Sequence, residues 1–172
     1  GNMGEGQGLH KVIPEAARLL GERSEFRLIG DGGRRHALQE ELDRAGVTNV
    51  ELLDPVPREK LFEHYRMADY LLLHLNEHSA FHKVLPSKIF EYAATEKPIL
   101  AGVSGYAAKF LKNEVDGAQV FTPCDAKGLV QGFENLDREK NYTRKDFKKK
   151  YARSYIMKHM ARDIQMVMRN YG

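Results

Sequence analysis

Residues 70–101, YLLLHLNEHSAFHKVLPSKIFEYAATEKPILA, contain the pattern that decides the fold. An apolar run at 70–73 leads into a polar loop, then into a helical segment, and then into a second apolar run at 98–101. Short apolar runs bounded by polar residues are typical of strands buried on both faces. Two such strands joined through a helix predict a parallel pair, because a parallel connection needs a crossover to return the chain.

The same alternation extends over most of the chain. Strands are predicted at 26–29, 50–53, 70–73, 98–101 and 119–121. Apolar residues at helical spacing lie between them, at Leu9, Val12, Ile13, Ala16, Ala17 and Leu20, at Leu38 and Leu42, and at Leu61, Phe62, Tyr65 and Ala68. The pattern predicts an α/β fold, with a parallel sheet covered by helices on both faces. The first helix has no strand before it, so we expect residues upstream of Gly1 in a longer chain to supply the innermost strand.

Composition is that of an ordinary globular domain. With 172 residues, 42% of them hydrophobic, the chain can bury one core. The single cysteine, Cys124, excludes an internal disulfide and fits a reducing compartment. The sequence contains no apolar run long enough to cross a bilayer and begins with no signal-peptide pattern. We therefore expect a cytoplasmic protein.

Basic charge is concentrated near the end of the chain. Residues 137–172 carry eleven Lys or Arg against four Asp or Glu, whereas residues 1–136 carry sixteen against twenty. We therefore divide the chain into a domain at 1–136 and a basic helical segment at 137–172. Apolar residues at roughly helical spacing in that segment are Phe147, Tyr151, Ile156, Met160, Ile164 and Val167.

A helix with basic residues beside an apolar stripe can pack on a protein surface or lie on anionic lipid at the inner face of the plasma membrane, and both interpretations stay open. Nucleic-acid binding is disfavoured, because the aromatic residues belong to the apolar stripe and form no stacking platform.

Four loops lie where open parallel sheets bind ligands, beyond the carboxyl ends of the strands. They are residues 1–8, 30–33, 54–57 and 76–87. Glycines in the first loop would let the backbone approach a phosphate, although a flexible terminus explains them equally well. In the second loop, Gly30-Asp31-Gly32-Gly33 resembles the start of a dinucleotide fingerprint, but Arg35 occupies the position of its third glycine. An NAD site is therefore disfavoured.

Several common catalytic motifs are missing from the sequence. It contains neither a Walker lysine motif nor a Gly-x-Ser-x-Gly elbow. His74, Glu77, His78 and His82 are candidate metal ligands on one loop, but they lack the His-Glu-x-x-His order. We expect no metal cofactor.

The segment Lys83-Val84-Leu85-Pro86-Ser87-Lys88-Ile89-Phe90-Glu91-Tyr92 is the strongest candidate for a binding site. Pro86 fixes the approach to a helix, and we expect Ser87 to cap it. The first free N–H groups would then face an anion such as a phosphate. Glu91 lies too far along the helix to complete a capping box with Ser87, so it is available either to bind a sugar hydroxyl or to pair with Lys88 on the surface.

These motifs together resemble the carboxyl-terminal half of a GT-B glycosyltransferase, over residues 1 to about 136. The resemblance is strongest to the branch that assembles bacterial surface polysaccharide, such as the N-acetylfucosamine transferases. The segments that carry it are Gly1-Asn2-Met3-Gly4 to Gly8-Leu9, Leu28-Ile29-Gly30-Asp31-Gly32, Tyr65-Arg66-Met67-Ala68-Asp69, Pro86-Ser87-Lys88-Ile89-Phe90-Glu91-Tyr92, Lys97-Pro98-Ile99-Leu100-Ala101, and Gly117 with Pro123-Cys124-Asp125. It implies a Rossmann-like α/β domain that forms one half of a GT-B fold.

The resemblance also implies functions for individual residues. This half would bind a nucleotide-sugar donor, with UDP as the nucleotide, without a metal, while a separate amino-terminal half would supply most of the site for a glycan or lipid-linked acceptor. Glu91 would accept hydrogen bonds from the ribose hydroxyls, and the backbone at Leu85, Pro86 and Ser87 would face the diphosphate. The remaining candidate binding residues are Gly4, Gly30, Gly32, Val56 and Lys88, and Lys83 joins Glu91 as a candidate catalytic residue.

The chain departs from the family pattern at three positions. Lys83 stands where relatives carry the first glutamate of a Glu-x7-Glu pair, and it would instead neutralise phosphate charge. Asn2 and Gln7 stand where many relatives place a cationic pair for the diphosphate. Two rival functions remain open, a non-catalytic nucleotide-responsive binding module and a sugar-nucleotide epimerase that recruits His78 and His82.

Overall fold

The computed structural model describes residues 1–137 and 139–171, with side chains described to residue 169. Five strands alternate with helices, as the sequence predicts. The strands are β1 Phe26–Ile29, β2 Val50–Leu53, β3 Leu71–His74, β4 Ile99–Gly102 and β5 Ala118–Phe121. The helices are α1 Leu9–Leu20, α2 Arg35–Ala45, α3 Arg58–Met67, α4 Lys88–Ala93, α5 Gly105–Glu114, α6 Ala126–Asn135, α7 Lys145–Lys150 and α8 Arg153–Tyr171, with 3₁₀ turns at Gly21–Arg23 and Ser79–Lys83.

Every strand pair within the described residues is parallel. β1 pairs with β2, and β4 lies between β3 and β5, so the strands are divided between two sheets. Leu28 is opposite Leu52 in the first sheet, and Leu72 is opposite Leu100 in the second. The predicted α/β class is therefore confirmed.

One face of both sheets is covered by α1, which contacts α2 on one side and α6 on the other. The stripe predicted for α1 faces this core, where Val12, Ile13 and Ala16 are fully buried. The cluster also draws on side chains from all five strands, including Leu28, Leu52, Leu72, Leu100 and Phe121. Because burial of apolar area is the main driving force of folding, this shared core holds the two sheets in one unit.

A second core covers the opposite face of β3, β4 and β5. It is formed by α4, α5 and α7, with side chains that include Leu73, Ile89, Ala101, Leu111 and Phe147. Strand residues alternate between the two faces, so neighbouring positions such as Leu100 and Ala101 enter different clusters. The prediction of helices on both faces is thereby confirmed.

The basic segment has two unlike parts. Phe147 of α7 belongs to the second core, and the buried guanidinium of Arg144 donates to the carbonyls of Thr95, Lys97 and Asp116. By contrast, α8 exposes its apolar side chains, Ile156, Met157, Met160, Ile164, Met166, Val167 and Met168. None of the helices in the described residues combines the length and apolar character that crossing a membrane requires. The boundary placed at residue 137, and the role of α8, stay predictions.

Candidate functional site

The glycine-rich loop at residues 1–8 is an ordered part of the fold. The backbone N–H of Met3 donates to the carbonyl of Asp31 at 2.8 Å, and Asn2 forms a parallel bridge with the same residue. The N–H of Asn76 donates to the carbonyl of Gly6 at 2.8 Å. The loop is thus hydrogen-bonded to the chain segments that follow both β1 and β3, and the binding role of its glycines stays a prediction.

Gly30 and Gly32 have a structural reason to be glycine. Their φ angles, 149° and 156°, are rarely adopted by residues with a side chain. A Cβ atom on Gly30 would collide with the backbone of Gly1, and one on Gly32 would lie 2.5 Å from Oδ1 of Asn2. Both glycines therefore let the first loop pack closely on the turn after β1. At Gly4 a Cβ atom would lie 3.1 Å from the Asn2 side chain, so this position is crowded as well.

Asn76, which follows β3 and is 1% exposed, holds the first loop in place. Its Nδ2 group donates to the backbone carbonyl of Glu5 at 2.8 Å and to the Glu5 carboxylate at 3.0 Å. Its Oδ1 atom accepts from Lys11 Nζ at 3.0 Å and from the N–H of Glu77 at 2.8 Å. The Glu5 carboxylate also pairs with Arg34 of the turn after β1, and this hydrogen bond lowers the pKa of Glu5.

His74, at the end of β3, links the first loop to the loop after β5. Its Nδ1 atom lies 2.5 Å from the carbonyl of Gln7, and the backbone N–H of Cys124 donates to its Nε2 atom at 2.9 Å. Since Nε2 accepts a hydrogen bond, the proton of the neutral ring is on Nδ1, which donates a hydrogen bond to the carbonyl of Gln7. Burial lowers the pKa of His74, and the Gln7 carbonyl opposes this effect in part. Both ring nitrogens are engaged, and the described residues contain no group of three His, Cys, Asp or Glu arranged to hold a metal.

The loop at 54–57 is joined to the turn after β1 by a side-chain contact. Arg35, which interrupts the dinucleotide fingerprint, donates from Nη2 to Asp54 Oδ1 at 3.0 Å. Val56 is half-buried in this loop, and α3 begins two residues later at Arg58. The loops after β1 and β2 are therefore adjacent, as expected for the carboxyl edge of a parallel pair.

The loop at 76–87 leads into α4 by a route that differs from the expectation. Lys83 is exposed at the end of a 3₁₀ turn, and Leu85 packs against the second core. Ser87 has helical dihedral angles, φ −58° and ψ −27°, and its side chain makes no capping hydrogen bond. The prediction that Ser87 caps α4 is wrong, because a capping side chain needs an extended backbone to reach the N–H groups of the first turn. The carbonyls of Pro86 and Ser87 instead accept from Ile89 and Phe90, each at 3.1 Å, which tightens the entrance.

Glu91 belongs to a hydrogen-bonded ring of three side chains. Lys88 Nζ donates to Glu91 Oε2 at 2.8 Å and to the Tyr65 hydroxyl at 3.0 Å, and that hydroxyl donates to Glu91 Oε1 at 3.2 Å. The Lys88 and Glu91 side chains are 31% and 28% exposed, so the ring is within reach of a ligand. The alternative pairing of Glu91 with Lys88 is therefore present, and it occurs together with a third partner.

Tyr65 is the residue of this site that the sequence did not reveal. The sequence marked it as a core residue of α3 and as the first residue of a segment that carries the family resemblance, but assigned it no part in binding, and it is 7% exposed. Its pKa is raised by burial and by the charge of Glu91, so the hydroxyl stays protonated as a donor. The signals in the sequence were that segment and the position of Tyr65 in a helix that follows the loop at 54–57.

Comparison with known proteins identifies the family. A family model described as "Glycosyl transferases group 1" matches residues 1–138. Over 89 residues the chain is 34% identical to the putative colanic acid biosynthesis glycosyl transferase WcaI of Escherichia coli K12, a match that covers 52% of this chain and 22% of that protein.

Solved structures share the fold at low sequence identity. HepE of Anabaena, solved in complex with UDP and glucose, superposes with a TM-score of 0.73 at 18% identity over 92% of this chain and 45% of its own. AviGT4, a glycosyltransferase involved in avilamycin A biosynthesis, superposes with a TM-score of 0.69 at 15% identity over 96% of this chain and 50% of its own. The chain thus spans about half the length of these structures. Together with the parallel sheets and the helices on both faces, these matches confirm the expected Rossmann-like half of a GT-B fold, and the chain belongs to the group 1 glycosyltransferases.

Proposed function

We propose that this chain is the donor-binding half of a glycosyltransferase that uses a nucleotide-diphosphate sugar, with UDP as the nucleotide. The observation that carries the proposal is Glu91, a partly exposed carboxylate on α4 that is held by two donors. Family membership supports a transferase, and the HepE structure, which contains UDP, supports the choice of nucleotide for this chain.

In this proposal each part of the donor meets a different loop. The ribose hydroxyls donate to Glu91, which keeps acceptor capacity on both oxygens because a carboxylate has about four lone-pair sites. The base lies beside Val56. Gly4 of the first loop and Gly30 and Gly32 of the turn after β1 lie on the other side of the site. The diphosphate lies along residues 85–88.

Transfer requires stabilisation of the departing diphosphate. The bond between the anomeric carbon and the terminal phosphate oxygen breaks with its electron pair on that oxygen, while the acceptor hydroxyl oxygen bonds to the carbon and loses its proton. Cationic side chains and N–H donors can stabilise this charge without a metal. Lys83, exposed at the end of its 3₁₀ turn, and Lys88 are the cations assigned to this task. The proton acceptor would come from an amino-terminal half, so we expect the 172-residue chain alone to bind the donor and to transfer poorly.

The likeness to WcaI, a putative colanic acid biosynthesis glycosyl transferase, supports a role in polysaccharide synthesis for this chain. For such a role we propose a glycan or lipid-linked acceptor and a location on the cytoplasmic side of the membrane. The exposed apolar side chains of α8 and the lysines of α7 support either contact with another protein surface or peripheral contact with anionic lipid. Salt-sensitive sedimentation with anionic vesicles tests the second of these.

Calorimetric titration of UDP, GDP, ADP and dTDP against the chain and its Glu91→Ala variant tests the function. We expect UDP to bind most tightly and the variant to lose about tenfold or more in affinity, because hydrogen bonds to a charged group each contribute about 1.5–3 kcal/mol. Glu114→Ala is the matched control, because Glu114 also pairs with a lysine, Lys150, and is 30% exposed. Equal affinity of both variants for every nucleotide would refute the proposal.

A further inference from the structure

We propose that Tyr65 is a positioning residue, whose hydroxyl fixes the orientation of the Glu91 carboxylate and so determines how well the ribose hydroxyls are bound. This inference rests on the proposed function. It is carried by the ring of hydrogen bonds that Tyr65 forms with Lys88 and Glu91.

The direction of each hydrogen bond in the ring is fixed by chemistry. The Lys88 ammonium has donors only, so the Tyr65 oxygen must accept from it. The single hydroxyl proton of Tyr65 is then free to be donated to Glu91 Oε1, 3.2 Å away. Lys88 occupies the other carboxylate oxygen at 2.8 Å. Each oxygen of Glu91 therefore has one fixed donor, and the remaining lone pairs are held in set directions in which a ligand can use them.

Tyr65 is itself held rigidly. Its ring packs edge-on against Phe62, with centroids 6.0 Å apart, and against Tyr92, with centroids 5.4 Å apart. The Lys88 ammonium lies 5.8 Å from the ring centroids of both tyrosines, within cation–π distance. With Tyr65 only 7% exposed, its hydroxyl has little freedom to move away from Glu91.

The position of Tyr65 along the chain also links two parts of the site. It lies on α3, which begins directly after the loop proposed to lie beside the base, whereas Glu91 lies on α4. The hydrogen bond between them therefore fixes the base-side element relative to the ribose anchor. The ribose hydroxyls of a bound nucleotide therefore meet a carboxylate that is already in place, which lowers the entropy cost of forming these particular hydrogen bonds.

The test compares nucleotides that differ only in their ribose hydroxyls. UDP and 2′,3′-dideoxyuridine diphosphate are titrated against the wild type, Tyr65→Phe and the control Tyr70→Phe. Tyr70 offers a matched change, because its hydroxyl donates to a backbone carbonyl, that of Leu136, at 3.1 Å. We expect Tyr65→Phe to bind UDP about 3- to 10-fold more weakly, as for the loss of one hydrogen bond, and to bind the dideoxy nucleotide as the wild type does. Tyr70→Phe should leave both affinities unchanged.

The ratio of the two affinities within one variant is the decisive readout, because an unfolded fraction weakens both nucleotides equally and cancels. The substitution also keeps the aromatic ring and its contacts, and a thermal melt checks the fold. Equal losses for the two nucleotides, or no loss for either, would overturn the role of Tyr65. If the wild type binds no nucleotide, or if Glu91→Ala binds as well as the wild type, the proposed function fails instead, so the two failures are distinguishable.

Discussion

Replacing Asn76 by alanine should destabilise the fold and disorder the candidate site at once. The buried amide makes four hydrogen bonds at 2.8–3.0 Å, two to Glu5, one to Lys11 and one to the N–H of Glu77. Two of these partners are backbone groups that depend on the amide, and each unsatisfied buried group costs about 1–3 kcal/mol. We therefore expect the free energy of unfolding to fall by about 3 kcal/mol.

Urea denaturation followed by circular dichroism measures this loss, and a UDP titration of the folded variant measures its effect on the site. Asn49→Ala is the control, because the Asn49 amide donates to the carbonyls of Ala17, Gly21 and Ser24 at 2.9–3.1 Å. The control should lose stability without losing nucleotide affinity. A loss under about 1 kcal/mol for Asn76→Ala, or equal nucleotide affinity in the two variants, would show that the first loop is not held as described.

Three further predictions follow from single side chains. The pKa of His74 is lowered in the folded state, so its contribution to stability is complete above the unfolded pKa of about 6.5 and is lost as the pH falls below that value. Urea denaturation should therefore give a lower free energy of unfolding at pH 5 than at pH 7. The His74→Gln variant should show a smaller difference between the two pH values. Phe147→Ala should lower the free energy of unfolding by about 3–5 kcal/mol, because Phe147 is part of the second core. Replacing the exposed Tyr155 by alanine should change it by less than about 0.5 kcal/mol. Equal effects of the two substitutions in urea denaturation would contradict the placement of α7. Lys83→Ala should weaken UDP binding about 3- to 10-fold at low salt and less at high salt, and identical behaviour of the exposed Lys112→Ala would remove Lys83 from the site.

The architecture could be predicted because it depends on local patterns. The apolar runs near Leu28, Leu52, Leu72 and Leu100 are visible in the sequence, and the structure places each of them in a strand. Two boundaries differ from the prediction by one residue, since β3 begins at Leu71 and β4 ends at Gly102. A shift of this size is expected when hydrogen bonds to a neighbouring strand, rather than the apolar run itself, decide where a strand begins.

The contacts of the site could not be predicted in the same way. Asn76 and His74 act through partners 71 and 67 positions away, Glu5 and Gln7, and nothing in the local sequence identifies such partners. Tyr65 was visible as an apolar position and as the start of a family-like segment, but the partners of its hydroxyl, Glu91 and Lys88, lie on a different helix, α4. The capping prediction for Ser87 failed for a related reason, since the loop before α4 continues into a helical backbone that no residue type at 87 reveals.

A crystal structure of the chain with UDP tests the central claim most directly. The account predicts that both ribose hydroxyls lie within about 2.5–3.0 Å of the Glu91 carboxylate, with Tyr65 still donating to Oε1 and the diphosphate along residues 85–88. A nucleotide bound elsewhere, with Glu91 paired only to Lys88, would contradict it.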